Sequence, residues 1–343
     1  VPETLEQALD PAWLTAALGV RYPGIEVTGV TLGFLTERLS TNQCFTIECA
    51  GGVPDGLAPT LCVKGYFGEQ GHHLAHIAEP EARFYADLAV PTGVRTLRAA
   101  YADADPVTHH GVVITEDVIA AGGAFLDALS PYTPEQTAQS LTEYARLHAY
   151  AWGVHDLIDE PWLAPRLESY FAYRGVDDIQ ANFEGPVGVD VAPEARDAQR
   201  LANAMLELAN RRESPGWAVI HGDAHVGNIF LAGDGAPALV DWQLVQRGHW
   251  GLDVGYHIAS ALTTEDRERC ERDLLTHYLD ELRRFGVEAP SWNEAWDGYR
   301  TGNAYGYFLW AITLVVKPEI IRVLLARLSA ACAANDAFAA IGV

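Results

Sequence analysis

The sequence predicts an α+β fold in two lobes, a small β-rich one over residues 1–120 and a larger, mainly helical one over residues 121–343. Three observations predict it. The first 120 residues hold short apolar, β-branched runs broken by Gly, Ser, Asn and Pro, which is strand-and-turn patterning. Beyond them the apolar residues fall at helical spacing over long stretches. At 343 residues the chain is long enough for each lobe to bury a core of its own.

The opening stretch "VPETLEQALDPAWLTAAL" lacks the basic start and apolar block of a signal peptide and reads as an amphipathic helix. "IEVTGVTLGFL", "LSTNQCFTIECAGG" and "APTLCVKGYFGE" follow as three antiparallel strands, with turns near Leu39 to Gln43 and Gly51 to Pro59. In "HIAEPEARFYADLA" the residues Ile77, Phe84, Tyr85 and Leu88 keep helical spacing, and "GVVITEDV" is a further strand that leads to the joint near Val118 to Gly123. "PEQTAQSLTEYARLHAYAW", "PEARDAQRLANAMLELANRR" and "TEDRERCERDLLTHYLDELRRFG" are helices. Between the last two lie short strands, "GWAVI", "NIFLA" and "PALVDW", the latter two forming a hairpin around "AGDGAP". The run Ala304 to Val316 is too short to span a bilayer comfortably and reads as a buried helix, so no membrane partner is expected. No internal repeat is present.

A net charge of -23 excludes nucleic acid as the expected partner, because binding that polyanion draws on Lys and Arg clusters. An acidic, solvated surface is the plainer meaning of the charge. The five cysteines, Cys44, Cys49, Cys62, Cys270 and Cys332, are odd in number and show no CxxC spacing, so free thiols in a reducing cytoplasm are expected. Only two lysines occur, Lys64 and Lys317, with arginine supplying all other positive charge, which makes each lysine worth a question.

The chemistry-bearing stretch is "HGDAHVGN", a loop after a buried strand, with "VDW" at the far end of the hairpin behind it. That hairpin is expected to bring Asp223, Asn228 and Asp241 to one end. Two carboxylates and an amide oxygen are hard ligands suited to Mg²⁺. Phosphoryl transfer divides such a trio naturally, one Asp taking the proton of an attacking hydroxyl while the Asn and the other Asp hold the metal. A rival reading makes His221, Asp223 and His225 ligands of a hydrolytic metal, with His249, His257 and the pair His72 and His73 as scattered further candidates. In the first lobe Lys64 sits inside a strand, Glu81 lies on the next helix where it can pair with that lysine, and Glu79 competes for the role. Backbone groups of Glu116 and Val118 are placed to meet an adenine edge at the joint.

Taken in order, strand lysine, helix glutamate, joint, "HGDAHVGN" and "VDW", the chain resembles the aminoglycoside phosphotransferase and choline kinase superfamily of protein-kinase-like small-molecule kinases. Within it, "VDWQLVQRGHWGLDVGYHI" and "LDPAWLTAAL" look most like the ecdysteroid-kinase-like branch. The resemblance implies a bilobal kinase fold, a nucleotide-binding first lobe, an acceptor-binding second lobe, ATP with Mg²⁺, and phosphoryl transfer to a hydroxyl of a small molecule. It makes Asp223 the base, Asn228 and Asp241 the metal ligands, Lys64 and Glu81 the ion pair, and Asp253 the brace of the loop, with His221 and His225 in support. A glycine-rich phosphate cover is missing, so Ser40, Thr41 and Asn42 at the first hairpin are expected to serve with backbone N–H groups. A non-catalytic nucleotide-binding relative is the remaining alternative, against which Asp223, Asn228 and Asp241 stand intact. Trp292, Trp296, Tyr299, Tyr305, Tyr307, Phe308 and Trp310 form a late aromatic segment whose ordinary fate is core. An acceptor pocket walled by any of them would favour an apolar or sterol-like alcohol over an aminoglycoside.

Overall fold

The computed structural model describes every residue except 68–72, 154–156, 158–159, 172–173 and 212–215. His72, the end of the third expected strand and Arg212 therefore lie outside the described residues. The chain forms two compact units, Val1–Phe125 with Phe230–Leu244, and Leu126–Ile229 with Val245–Val343.

In the first unit β1 (Val27–Glu37), β2 (Thr41–Cys49), β3 (Thr60–Gly65), β4 (Ala99–Ala104) and β5 (Gly111–Glu116) make one antiparallel sheet in the order β1-β2-β3-β5-β4. Strand alternation decides what faces where. Leu61 and Val63 of β3 are fully buried in a core with Phe45, Ile47, Ile114, Leu14 and Leu18, which leaves Cys62 and Lys64 on the other face. The opening segment is two helices rather than one, α1 (Leu5–Ala8) and α2 (Pro11–Gly19). Asp10 caps the second by accepting the Trp13 N–H, and Pro11 at its first position suits a start and not a continuation. The first turn lies at 38–40, overlapping only the start of the expected span, because β1 runs on to Glu37 and β2 begins at Thr41. Strand β4 was not legible: "AAYADA" is rich in Ala and Asp, which are poor strand formers.

Helix α3 (Ala75–Arg83) continues through a π-helical turn at Phe84–Leu88 and a final turn at Ala89–Thr92. It packs on β5 at Gly111, where a Cβ would lie 2.5 Å from the Ala78 carbonyl oxygen. The strands β6 (Ala124–Phe125), β8 (Ile229–Leu231) and β9 (Pro237–Leu239) form a small sheet. The hairpin expected inside the second lobe has its contacts in the first unit, since the Leu239 N–H donates to the Arg95 carbonyl and the Thr96 hydroxyl to the Leu239 carbonyl.

One expectation fails here. Cys44 and Cys62 are joined in a disulfide. They are directly opposed in the β2–β3 register, so both side chains leave the same face. Chain spacing carries no such register information, and only Cys49, Cys270 and Cys332 are free.

In the second unit β7 (Trp217–Ile220) pairs with β10 (Gln246–His249) among the helices α4 (Pro134–Tyr150), α5 (Val176–Glu184), α6 (Ala198–Asn210), α7 (Gly251–Ala261), α8 (Thr264–Arg284), α9 (Trp292–Ala311) and α10 (Pro318–Ala334). Helix α6 starts later than expected because the Asp197 side chain caps it. The greasy run from Ala304 is only the second half of α9, which begins at a Ser291–Glu294 capping box, and beyond its end Val315 is 85% exposed. Helices α7 and α9 touch backbone to backbone, and a Cβ on Gly302 would lie 1.9 Å from the Gly251 carbonyl oxygen. No described helix is long and apolar enough to cross a membrane.

Candidate functional site

Alternation along β3 places Lys64 opposite Asn42 of β2, on the face away from the apolar core. Its ammonium meets both Glu81 oxygens, Oε1 at 2.9 Å and Oε2 at 2.7 Å, and Asp241 Oδ1 at 2.7 Å. Glu79, the rival for the pairing, is occupied elsewhere, 2.6 Å from His109 Nδ1. Burial alone would push the Lys64 ammonium down, but the Asp241 and Glu81 carboxylates outweigh it and hold it well above the ordinary lysine range. Lysine is thus a fixed cation here. The Glu81 side chain is 5% exposed and that of Asp241 33%, so Asp241 is the member of the trio open to a ligand. Asp241 has φ +66°, a left-handed conformation unusual for a non-glycine residue and one that tends to persist where function requires it. Its Oδ2 is 3.5 Å from Gln243 Nε2, and the Tyr66 hydroxyl donates to Gln243 Oε1 at 2.8 Å.

The loop after β7 is built against helix α7, and three residues on one face of that helix read it in order. Asp253, which is fully buried, accepts the N–H of His221 at 2.7 Å and of Gly222 at 2.9 Å. Tyr256 donates its hydroxyl to Asp223 Oδ1 at 3.1 Å. His257 offers Nδ1–H to the Ala224 carbonyl at 2.9 Å. Positions i, i+3 and i+4 share a helical face, so one helix holds four successive loop residues. From other helices, His148 Nε2 meets Asp253 Oδ2 at 3.1 Å and the Tyr305 hydroxyl donates to the Gly222 carbonyl at 2.7 Å. Gly222 has φ +82°, which a side chain would disfavour.

Asn228 closes the loop, its amide nitrogen donating to the Asp223 carbonyl at 2.9 Å and to Asp223 Oδ2 at 3.0 Å. The amide oxygen is therefore the atom left to face outward. His225 Nδ1 accepts the Gly227 N–H, and its Nε2 lies 3.6 Å from Asp223 Oδ2. Burial works to raise the Asp223 carboxyl, yet His225, His221 and the Asn228 amide together hold it below the ordinary carboxylate range.

The remaining expected residues are placed as follows. Asn42 Nδ2 donates to Ser40 Oγ at 3.3 Å at the first hairpin, with Thr41 opposite Gly65. At the joint the Glu116 N–H is committed to the Arg98 carbonyl and the Val118 carbonyl accepts from Gly123. The late aromatics are mostly core: Tyr299, Tyr305, Tyr307 and Phe308 are fully buried, with the three hydroxyls bonded inside the protein. Trp310 differs, since its indole N–H reaches Tyr256 at 2.6 Å and its ring stands edge-to-face with His225 at 5.3 Å.

The rival metal reading finds no geometric support. His221 Nδ1 and His225 Nδ1 both accept backbone N–H groups, and His257 Nδ1 is spent on the Ala224 carbonyl. Among the described residues the group of three His, Cys, Asp or Glu ligands with suitable spacing is Cys44, Cys62 and Asp117, two of which form the disulfide. Sequence reasoning missed Tyr256, His257 as a brace, His148, Tyr305 and Gln243. The signal for the first two was present, at three and four residues after Asp253 on one helix.

A β-sheet unit with a buried lysine–glutamate pair, and a helical unit presenting a braced Asp–Asn loop, define the class of small-molecule kinases. Residues 120–288 match the model of the phosphotransferase enzyme family. Its fold is similar to that of an ethanolamine kinase from Plasmodium vivax, with TM-score 0.55 and 11% identity over 93% of this chain and 86% of that one. It is likewise similar to a choline kinase from Cryptosporidium parvum Iowa II, with TM-score 0.54 and 13% identity over 90% and 88%. A choline/ethanolamine kinase family protein from Mesorhizobium loti aligns with TM-score 0.50 and 16% identity over 96% and 97%. No curated protein sequence matches the chain.

Proposed function

We propose that the protein transfers the terminal phosphoryl group of ATP, with Mg²⁺, to a hydroxyl of a small molecule. The observation that carries this reading is the Asp223–Asn228 pair. The amide nitrogen of Asn228 is spent on Asp223, which leaves its oxygen for a hard cation, and the same bond helps keep Asp223 ionised. Asp223 then takes the proton of the acceptor hydroxyl. Asp241 suits the same cation, since it already binds one, the Lys64 ammonium, through Oδ1. When bound, the metal would be held by Asn228 and Asp241 and would neutralise charge on the phosphate oxygens. Lys64, aimed by Glu81, would bind those oxygens too, and Asn42, next to it in register, together with Ser40 and Thr41 would donate to the outer phosphate. An adenine edge would use the backbone groups of Glu116 and Val118 not already bonded.

For the acceptor we propose a neutral, largely apolar alcohol, because His225 lies 3.6 Å from Asp223 with the Trp310 ring edge-to-face against it, and among the described residues no second carboxylate is bonded to Asp223 or His225. ADP release from Mg–ATP with sterol-like alcohols, macrolides and aminoglycosides side by side tests both parts. Asp223→Asn is expected to lower turnover at least about a hundredfold with ATP binding nearly unchanged. Near-normal turnover by that variant overturns the base assignment, and turnover of an aminoglycoside alone overturns the acceptor class.

A further inference from the structure

Asp223 has a partner that the loop motif does not supply. Each of its carboxylate oxygens takes one protein donor, Oδ2 from the Asn228 amide and Oδ1 from the Tyr256 hydroxyl at 3.1 Å. Tyr256 is itself held. It is fully buried, and its ring lies so close to Gly306 that a Cβ there would be 2.4 Å from Tyr256 Cδ2. The Trp310 indole N–H points at the Tyr256 oxygen at 2.6 Å.

The direction of these bonds follows from chemistry alone. An indole nitrogen only donates, so the Tyr256 oxygen must accept from Trp310. The phenol has one hydrogen, and an ionised carboxylate only accepts. The Trp310–Tyr256–Asp223 chain can therefore run one way only, with the Tyr256 hydrogen on Asp223 Oδ1. Removing Trp310 would free the hydroxyl to turn. Removing the Tyr256 hydroxyl would leave the Asp223 carboxylate fixed at Oδ2 and free to swing at Oδ1.

We infer that Tyr256, oriented by Trp310, is a positioning residue that fixes the plane of the Asp223 carboxylate so that a lone pair faces the incoming hydroxyl. The inference rests on Asp223 acting as the base. Misplacement of a reacting group by about an ångström costs on the order of a hundredfold in rate. A role through orientation therefore acts on turnover, with nucleotide affinity spared.

The test uses the full chain and Mg–ATP, with water as the phosphoryl acceptor and ADP release as the readout. Tyr256→Phe keeps the ring against Gly306 and is expected to lower kcat about ten- to a hundredfold with KM for ATP unchanged. Trp310→Phe is expected to lower it less, and the double variant to be no slower than Tyr256→Phe, because Trp310 acts through the hydroxyl already removed. The ¹⁵N–¹H signal of the Trp310 indole should move in Tyr256→Phe, reporting the lost bond. Unchanged kcat in Tyr256→Phe, or additive losses in the double variant, overturns the inference. Should Tyr256→Phe fail to fold, Trp310→Phe decides alone, and wild-type kcat in it is the overturning result. Asp223→Asn run in parallel separates the two failures. If that variant is slow while Tyr256→Phe is not, only the positioning role falls; if it turns over normally, the base assignment falls and takes the positioning role with it.

Discussion

The Lys64 cluster and the Asp223 loop each hold an aspartate in place, by opposite means. Asp241 is held by charge: an ammonium at 2.7 Å that Glu81 shares. Asp223 is held mainly by direction, with a phenol, an amide and a backbone framework each bonded at one defined atom. Coulomb attraction tolerates movement, and a lysine ammonium on a four-carbon stem can follow or release its partner. Directional bonds do not. The first arrangement suits the cation exchange proposed for Asp241, and the second suits the role of base proposed for Asp223.

The largest expected effect tests the charged side. Asp241→Ala removes the carboxylate proposed to hold the metal but leaves the Lys64–Glu81 pair balanced, so the fold should survive while activity falls about a thousandfold or more. Excess Mg²⁺ should recover little of it. Thermal melting and ADP release measured on the same sample check both halves. A variant that loses its fold with its activity would show that Asp241 is chiefly a structural charge partner and would break the comparison.

The charged groups were legible in the sequence, as were Asp223, Asn228 and the brace Asp253 of the directional side, while the other residues that hold the loop were not. Lys64 stood out as one of two lysines, and Asp223, Asn228 and Asp241 as a spaced motif, because reacting groups must be of particular types at particular places. The scaffold is less constrained in type. His148 reaches Asp253 across 105 residues, a distance over which no periodicity carries. Tyr256 and His257 were within reach of reasoning, three and four residues past Asp253, yet the tyrosine draws no remark and the histidine stands only as a scattered metal-ligand candidate until the loop is seen beside them. The Cys44–Cys62 disulfide failed for the same kind of reason, since pairing register is a tertiary fact and spacing alone hides it.

A smaller effect sharpens the directional side. Asp253→Ala deletes no charge that touches a reactant, but it leaves the His221 and Gly222 N–H groups buried without their acceptor. Unmet buried donors cost about 1–3 kcal/mol each, so a loss of about 3 kcal/mol and a melting point lower by several degrees are expected. Amide exchange at residues 221–224 should rise well before that of β3. Equal protection in both places would mean that the loop does not depend on α7.

The smallest expected effect distinguishes the two regions by pH. The Lys64 ammonium has its affinity for protons raised by Asp241 and Glu81, so its contribution to stability is complete below the unfolded lysine value and is lost as pH rises through the folded one. The charged cluster therefore weakens in alkali. His257 behaves in the reverse sense. Burial pushes it down to about 4, and its Nδ1–H is spent on the Ala224 carbonyl, so the folded protein keeps it neutral where the unfolded chain takes up a proton. Stability on its account falls as pH drops from about 6.5 towards 4, by about 2 kcal/mol at pH 5. His249, also held down to about 4 by burial and then by His148 and Arg211, adds a second contribution of the same sign. Denaturation midpoints of the wild type should therefore decline from pH 7 to pH 5. His257→Asn, whose amide can still donate to Ala224, should remove roughly half of that decline and leave the alkaline side untouched. A variant with the full acid slope would place the proton uptake elsewhere, and the neutral scaffold of the loop would then have no titration of its own to set against the charged cluster.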